Sequence, residues 1–301
     1  MGLSSIIYKT AGKISTSNRF LEKKYRNQSP HVEWQNYKNF RTLNLIGESQ
    51  TRGLSTSKML LDCLKEIKSD KQFTFRFFIN DKPEQPYSNS DFYYCTNDES
   101  KKKDLIPDFA FDSWQEAGIQ NYSQTTNEIT LKSKQPWTDH RLFWIGNVKT
   151  NKIRVKLLDL GQQNRDIFDF YDTYVDNHIL HKKDVPYVSL PDHTHFKYLI
   201  DIEGNSYSAR LKFLFYTNRV VFLQDRDWKE YFHDQLEPYV HYIPIKNDLS
   251  DLVQQYENIE RNPELYQSIV QNASKFAAEQ LNYKTAIAYM RQTIQNKINQ
   301  L

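Results

Sequence analysis

Apolar residues recur along this chain in two rhythms. At 72–79 they alternate, with Phe73, Phe75, Phe77 and Ile79 on one side of an extended chain, the two-residue period of a strand. Apolar runs at 42–46 and 198–202 predict further strands. Elsewhere the spacing lengthens to three and four. Leu60, Leu61, Leu64 and Ile67 predict a helix opening at Ser55 as N-cap, with Arg52 and Gly53 just before it. From Leu249 onward everything reads as helix: the Asp248-Leu-Ser-Asp start has capping-box character, and Pro263 stands at a favoured first position. Ala277, Ala278, Leu281, Ile287, Met290, Ile294 and Ile298 form helical stripes, expected as core. Residues 87–104 and 159–192 read as polar loops.

The stretch from His195 to Lys212 carries the densest candidate chemistry. A short apolar strand at 198–202 ends in Glu203-Gly-Asn-Ser, where Gly204 is expected to let the chain turn sharply. Ser206 and Ser208 follow, and Arg210 and Lys212 stand near an expected helix start, where amides and basic side chains converge on an anion. Strand, turn, hydroxyls and basic helix make a diphosphate cradle. The same pattern also fits a plain strand-turn-helix with solvated charges, and the residues alone do not separate the two.

Residues 196–246 resemble the C-terminal half of the family 90 glycosyltransferases. The signatures are Tyr-Leu-Ile-Asp-Ile-Glu-Gly at 198–204, Ser-Ala-Arg-Leu-Lys at 208–212, Trp-Lys-Glu-Tyr-Phe at 228–232, His-Tyr-Ile-Pro-Ile-Lys at 241–246 and Asp-Leu-Ser-Asp-Leu at 248–252, in the family's order and spacing. Weaker similarity reaches back to about Leu54, and the resemblance implies strands at 141–146, 220–223 and 237–244 and a helix at Trp228. The resemblance implies an α/β fold of GT-B type: two Rossmann-like domains facing across a cleft, with C-terminal helices. The implied organisation is a basic N-terminal segment (1–27), an acceptor-side Rossmann-like domain (28–139), a sugar-nucleotide-binding Rossmann-like domain (140–284) and a C-terminal helix crossing back to the first domain (285–301).

It also implies roles. Asp81 follows the 72–79 strand and precedes the Lys82-Pro83 loop, the position of the family's catalytic aspartate. A carboxylate there acts as general base on an acceptor hydroxyl; without the resemblance, an Asp before a proline loop is a turn former. Arg52, Pro83 and Trp114 are acceptor-side candidates, and Phe109 and Phe111 are expected between the domains as core. The segment Arg-Leu-Phe-Trp-Ile-Gly at 141–146 resembles the first strand of the family's nucleotide domain, but Ile145 replaces the usual Arg and Asn147 the usual hydroxyl. Gly146, Asn147, Lys149, Arg154, Gly204, Ser206, Ser208, Arg210 and Lys212 form the expected donor set, with Arg154 favoured over Lys149 for the diphosphate. The implied reaction moves glucose or xylose from a UDP-sugar, with inversion, to a glycan or lipid-linked glycan acceptor, expected to be a lipopolysaccharide or lipooligosaccharide core. No cofactor is expected beyond the donor. Asp225 and Asp227 have the Asp-x-Asp spacing that binds metal in another glycosyltransferase class, but this family works without a bound metal. The rival readings are an inactive nucleotide-sugar-binding scaffold, supported by Ile145 alone, and a protein O-glycosyltransferase.

Composition narrows this further. The chain has 301 residues, enough for two domains, and a formal net charge of +3, too small for a nucleic-acid partner. Its two cysteines, Cys63 and Cys95, imply no disulfide framework, and Cys63 lies on an apolar helical face. No apolar run reaches membrane-spanning length, Met1 to Ile7 is too short for a signal core, and the C-terminus is not a retention signal. The sequons at Asn27, Asn121 and Asn272 mean little without a secretory route, so a cytoplasmic enzyme is expected. Lys9, Lys13, Arg19, Lys23, Lys24 and Arg26 with interspersed apolar residues read either as a leader helix on the body or as a peripheral contact with an anionic membrane. His178, His181, His193 and Asp192 fit no zinc spacing and are expected in a solvated loop.

Overall fold

The computed structural model describes residues 5–8, 14–16, 30–37, 40–46, 50–83, 90–174 and 187–301. In chain order its elements are β1 (Ser5–Tyr8), β2 (Ile14–Thr16), β3 (His31–Tyr37), β4 (Phe40–Ile46), α1 (Gln50–Leu64), β5 (Phe73–Phe78), α2 (Tyr122–Lys132), β6 (Asp139–Gly146), α3 (Lys152–Gln163) and β7 (Phe168–Asp172). Then come β8 (Phe196–Asp201), α4 (Leu211–Leu214), β9 (Val220–Gln224), β10 (Ile243–Ile245), α5 (Leu252–Glu260), α6 (Pro263–Gln280) and α7 (Tyr283–Asn299). The chain divides into two compact units: one holds 1–122, 229–231 and 283–301, the other 123–228 and 232–282.

The first unit departs from the Rossmann-like expectation. Its sheet has the order β2-β1-β4-β3-β5, and every neighbouring pair is antiparallel. The reason lies in chain length. Tyr37 pairs directly with Phe40, and so short a connection permits only a hairpin, whereas parallel strands need a long crossover. Because β3 runs against both β4 and β5, those two point the same way. The β4-α1-β5 segment is therefore a β-α-β unit with an antiparallel strand set into it. Ser5–Tyr8 and Ile14–Thr16 also join this sheet as strands, so this part of the N-terminal segment is not a leader helix. The rest of that segment, with its basic residues, lies outside the described residues.

The alternation in β5 does what the sequence predicts. Phe73, Phe75 and Phe77 are buried, with Trp34 of β3 edge-on to Phe73 at 4.7 Å and Phe92 stacked on Phe77 at 4.7 Å. The described part of the expected loop at 87–104 is instead a layer over this core. Phe92 bridges Phe77, Tyr93 bridges Leu105, and Phe92, Tyr93, Tyr94 and Cys95 are all buried. Helix α1 begins five residues before the expected N-cap, so Arg52 lies in its first turn and Ser55 is internal, its hydroxyl 2.7 Å from that of Ser113. Helix α7 packs against α1: Tyr283 donates to Asp62 at 2.8 Å and Cys63 Sγ reaches the Ile287 carbonyl at 3.5 Å. Burial pushes the Cys63 thiol up to about 12, in keeping with an inert core cysteine.

Gly53 explains how α1 can lie so close to the sheet. A Cβ there would fall 2.1 Å from Leu45 Cδ1 and 3.1 Å from Ile79 Cδ1. Gly53→Val should therefore cost about 2 kcal/mol through overpacking, read as a lower urea midpoint. An unchanged midpoint would show that α1 does not rest on the sheet in this way.

The second unit carries the expected parallel, helix-flanked α/β sheet, in the order β10-β9-β8-β6-β7 with every pair parallel. All five residues of β9 are buried, as both faces of a parallel sheet must be covered. One face packs Leu142, Trp144, Tyr198, Ile200, Val220 and Phe222 against Tyr256 and Ile259 of α5 and Tyr266 and Ile269 of α6. Asn262 caps α6 by accepting from the Leu265 amide at 3.0 Å, with Pro263 at the first position as expected. Strand β7 falls within the expected loop at 159–192, and the expected strand at 237–244 shortens to β10. No helix forms at Trp228. The backbone of Lys229 pairs instead with Thr96 in both directions, at 3.0 and 2.8 Å, within the first unit.

Candidate active site

The strand order of the second unit creates a topological switch point. Strand β6 has β7 on one side, reached through α3, and β8 on the other, so the connections leaving β6 and β8 diverge. Ligands in open α/β sheets bind at such a switch point, beyond the carboxyl ends of the strands. The whole expected donor set lies at these two exits: Gly146 as the last residue of β6 with Asn147, Lys149 and Arg154 after it, and Gly204, Ser206, Ser208, Arg210 and Lys212 after β8.

Arg154, in the first turn of α3, ties the two connections together. Its Nε donates to the Glu203 carbonyl at 2.8 Å, Nη1 to Asn147 at 2.9 Å and Nη2 to Ile202 at 3.2 Å. Asn151, the N-cap of α3, adds a bond from Nδ2 to the Gly204 carbonyl at 2.9 Å. Arg154 is buried, and burial together with the nearby Arg210 lowers it to about 10, still charged at neutral pH.

Arg210 comes from the other side, its Nη1 donating to the Ile145 carbonyl at 2.6 Å. Burial lowers its pKa, partly offset by Asp201. Gly146 leaves room for this approach. A Cβ there would lie 2.7 Å from the Trp144 ring and 3.2 Å from Arg210 Nη2. Ile145 thus contributes a backbone carbonyl, and a guanidinium reaches that position from residue 210. Asn147 is exposed and caps the following turn by accepting from the Lys149 amide at 2.9 Å, while Lys149 sits 4.0 Å over the Tyr174 ring.

Three local expectations are revised. Gly204 is absent from the positive-φ residues of the described chain, which are Gly118, Asn218, Tyr239 and Leu249. Its lack of a side chain instead matters beside Arg154 Nη2, 3.4 Å from where a Cβ would stand. Helix α4 is a single turn, too short to gather a helix-end field, so anion attraction here falls to side chains. Lys212 is fully buried and donates to the Ala209 carbonyl at 3.0 Å, which makes it part of the turn's support rather than of its open face.

A buried network beneath the turn was not foreseen. Asp201, at the end of β8, accepts from the Ser208 hydroxyl at 2.6 Å through one oxygen and pairs with Arg226 through the other; both members of the ion pair are 1% exposed. Gln224 accepts from the Glu203 amide at 3.0 Å and donates to the Asn247 carbonyl at 2.9 Å. Burial raises the pKa of Glu203, opposed by Arg226. The lone acid within an otherwise apolar run at 198–202 was the available signal, since a charge in that position needs a partner.

Within the first unit, Asp81 lies just beyond the carboxyl end of β5 and forms an ion pair with Arg52 in the first turn of α1, their side chains 31% and 24% exposed. The Arg52 guanidinium stands 4.8 Å over the Phe109 ring, and Cys95 Sγ reaches the Asp81 carbonyl at 3.1 Å. Pro83 is buried, and Trp114 is half-buried with its ring edge-on to Phe109 at 6.2 Å. Phe109 and Phe111 are core of this unit. The structure therefore brings Asp81, Arg52 and, through Phe109, Trp114 into one neighbourhood.

His193 is a buried core histidine rather than part of a solvated loop. It bonds to the Ser189 carbonyl at 2.8 Å, and burial and then Arg210 push it down to about 3. His178 and His181 lie outside the described residues. Among those described, no group of three or more His, Cys, Asp or Glu is placed to hold a metal ion, and no helix is long and apolar enough to cross a membrane.

The family model for glycosyl transferase family 90 matches residues 44–299. The chain belongs to this family. It is similar to O-glucosyltransferase rumi of Drosophila melanogaster, 31% identical over 195 residues that make up 61% of this chain and 47% of that protein. It is also similar to Protein O-glucosyltransferase 1 of Rattus norvegicus, 38% identical over 102 residues, 34% of this chain and 26% of that one. The family 90 chain thus spans less than half the length of these curated relatives. Among solved structures, Anabaena Alr3699/HepE in complex with UDP-glucose is matched at a TM-score of 0.36 and 10% identity, covering 56% of this chain and 44% of that one. That likeness is too slight to bear on fold or ligand.

Proposed function

We propose that this family 90 chain transfers a sugar, glucose first among candidates, from a UDP-sugar to an acceptor hydroxyl by a single inverting displacement that needs no metal. The observation carrying this reading is the convergence of Arg154 and Arg210 on the connections after β6 and β8, at the switch point of a parallel sheet. Charge builds on the β-phosphate as the sugar–phosphate bond breaks, and guanidinium and hydroxyl groups already held in place stabilise it without reorganising. Arg210 and Ser206 are assigned to the diphosphate. Arg154 keeps Asn147, Ile202 and Glu203 in register for it. Asp81 takes the acceptor proton as the new bond forms, while Arg52 fixes one of its oxygens. The names of the curated relatives support glucose as the transferred group.

The acceptor we favour is a glycan hydroxyl of a lipopolysaccharide or lipooligosaccharide core. A protein hydroxyl is the second reading, favoured by the relatives named protein O-glucosyltransferases. One assay tests both: UDP release from a panel of UDP-sugars in the presence of EDTA, with and without core oligosaccharide or folded protein acceptors. Turnover of one sugar, unaffected by EDTA and accelerated by one acceptor class, is expected. If no UDP-sugar is turned over and UDP does not bind, the reading is wrong.

A further inference from the structure

Arg226 lies just after β9, and its side chain is 1% exposed. One of its three nitrogens, Nη2, pairs with Asp201; Nε and Nη1 are buried without a hydrogen-bond partner among the described residues. A buried guanidinium with two nitrogens unmatched is costly, and a fold retains such a group only when something offsets the cost. Its surroundings show what does. Asp201 passes the contact on to Ser208 through its other oxygen at 2.6 Å, so Arg226 underpins the 203–210 turn. Arg226 also acts electrostatically on Arg154 and on Glu203. Around this turn three guanidiniums (Arg154, Arg210 and Arg226) face the carboxylates of Asp201 and Glu203, with Asp227 acting on Glu203 as well. Asp201 is already divided between Ser208 and Arg226. These three cations and three carboxylates cancel in formal charge, yet two nitrogens of Arg226 have no acceptor among the described residues.

We propose that Arg226 is a positioning residue for the diphosphate: through Asp201 it sets the Ser208 end of the turn, and its buried charge adds to those of Arg154 and Arg210 in attracting the anion. The inference rests on the donor site proposed for this switch point. Burial keeps Arg226 from touching the ligand, so its contribution is charge at short range in a poorly screened setting and a fixed turn. Both act on the diphosphate and neither on the nucleoside.

The test compares UDP with uridine by calorimetry in the full chain, for wild type, Arg226→Lys, Arg226→Gln and the charge-paired double variant Asp201→Asn with Arg226→Gln. The double variant removes both buried charges together, a change that folded proteins commonly tolerate, and it decides the question should Arg226→Gln alone fail to fold. UDP affinity is expected to fall about tenfold in the folded glutamine variants and to stay within about threefold in Arg226→Lys, with uridine affinity unchanged throughout. Equal loss of UDP and uridine, or no loss of either, overturns the proposal and leaves Arg226 with a structural role only. If wild type binds no UDP, the donor-site reading itself fails, a separate result.

Discussion

Asp81→Asn is expected to lower the rate of sugar transfer by about a hundred- to ten-thousand-fold, the usual worth of a positioned general base. UDP affinity and folding stability should hardly change. The second expectation is what makes the first informative. The Asp81–Arg52 pair is a quarter to a third exposed, and pairs in such settings contribute on the order of 0–1 kcal/mol, so a large loss of activity cannot be ascribed to unfolding. Asparagine retains the shape and can still accept from Arg52, but it cannot take a proton at neutral pH. Activity of Asp81→Asn within a few-fold of wild type would move the base elsewhere. The neighbouring Tyr94 is a poor substitute, since burial pushes its phenol well above the usual range.

The second large effect is expected at Arg154. Its guanidinium supplies bonds to the carbonyls of Glu203, Asn147 and Ile202. Arg154→Met would leave these acceptors short of donors in a buried setting, at about 1–3 kcal/mol for each that water does not reach. A fall in stability of about 3 kcal/mol is expected in urea unfolding, with UDP affinity lost as the two connections separate. Lysine should not rescue it, because one ammonium on a flexible stem does not reproduce a planar fork aimed at three carbonyls. Arg154→Lys with wild-type stability and UDP affinity would show that charge, not geometry, is what this residue supplies.

Much of this organisation was legible in the sequence. The alternation at 72–79, the apolar run that became β8, and the helical stripes after Leu249 all depend on local spacing, which a chain displays directly; β6 and β9 came with the family resemblance. The donor candidates from Gly204 to Lys212 were found because a strand, a turn and basic residues follow one another within 198–212, whereas Gly146, Asn147, Lys149 and Arg154 were named through the family resemblance. What stayed hidden depends on pairing between distant segments. Nothing near Phe40 announces that β3 will lie between β4 and β5, so the Rossmann-like domain implied by the resemblance had no local sign against it. The aromatic run at Phe92 was obscured by the charges around it, and β7 by its two aspartates. Arg154 was selected as a charge; that its donors would bind backbone carbonyls 48 to 49 residues away follows only from the sheet order. Asp201 and Arg226, 25 residues apart, meet because β8 and β9 are neighbours.

The central claim is that the switch point beyond β6 and β8 holds the diphosphate of a UDP-sugar, and calorimetric titration of UDP into wild type and Arg210→Ala tests it most directly. Binding to wild type, weakened at least tenfold in a folded Arg210→Ala protein while uridine binds both equally, is the predicted result. Equal UDP affinity in the two proteins would contradict it and place the nucleotide somewhere other than this switch point.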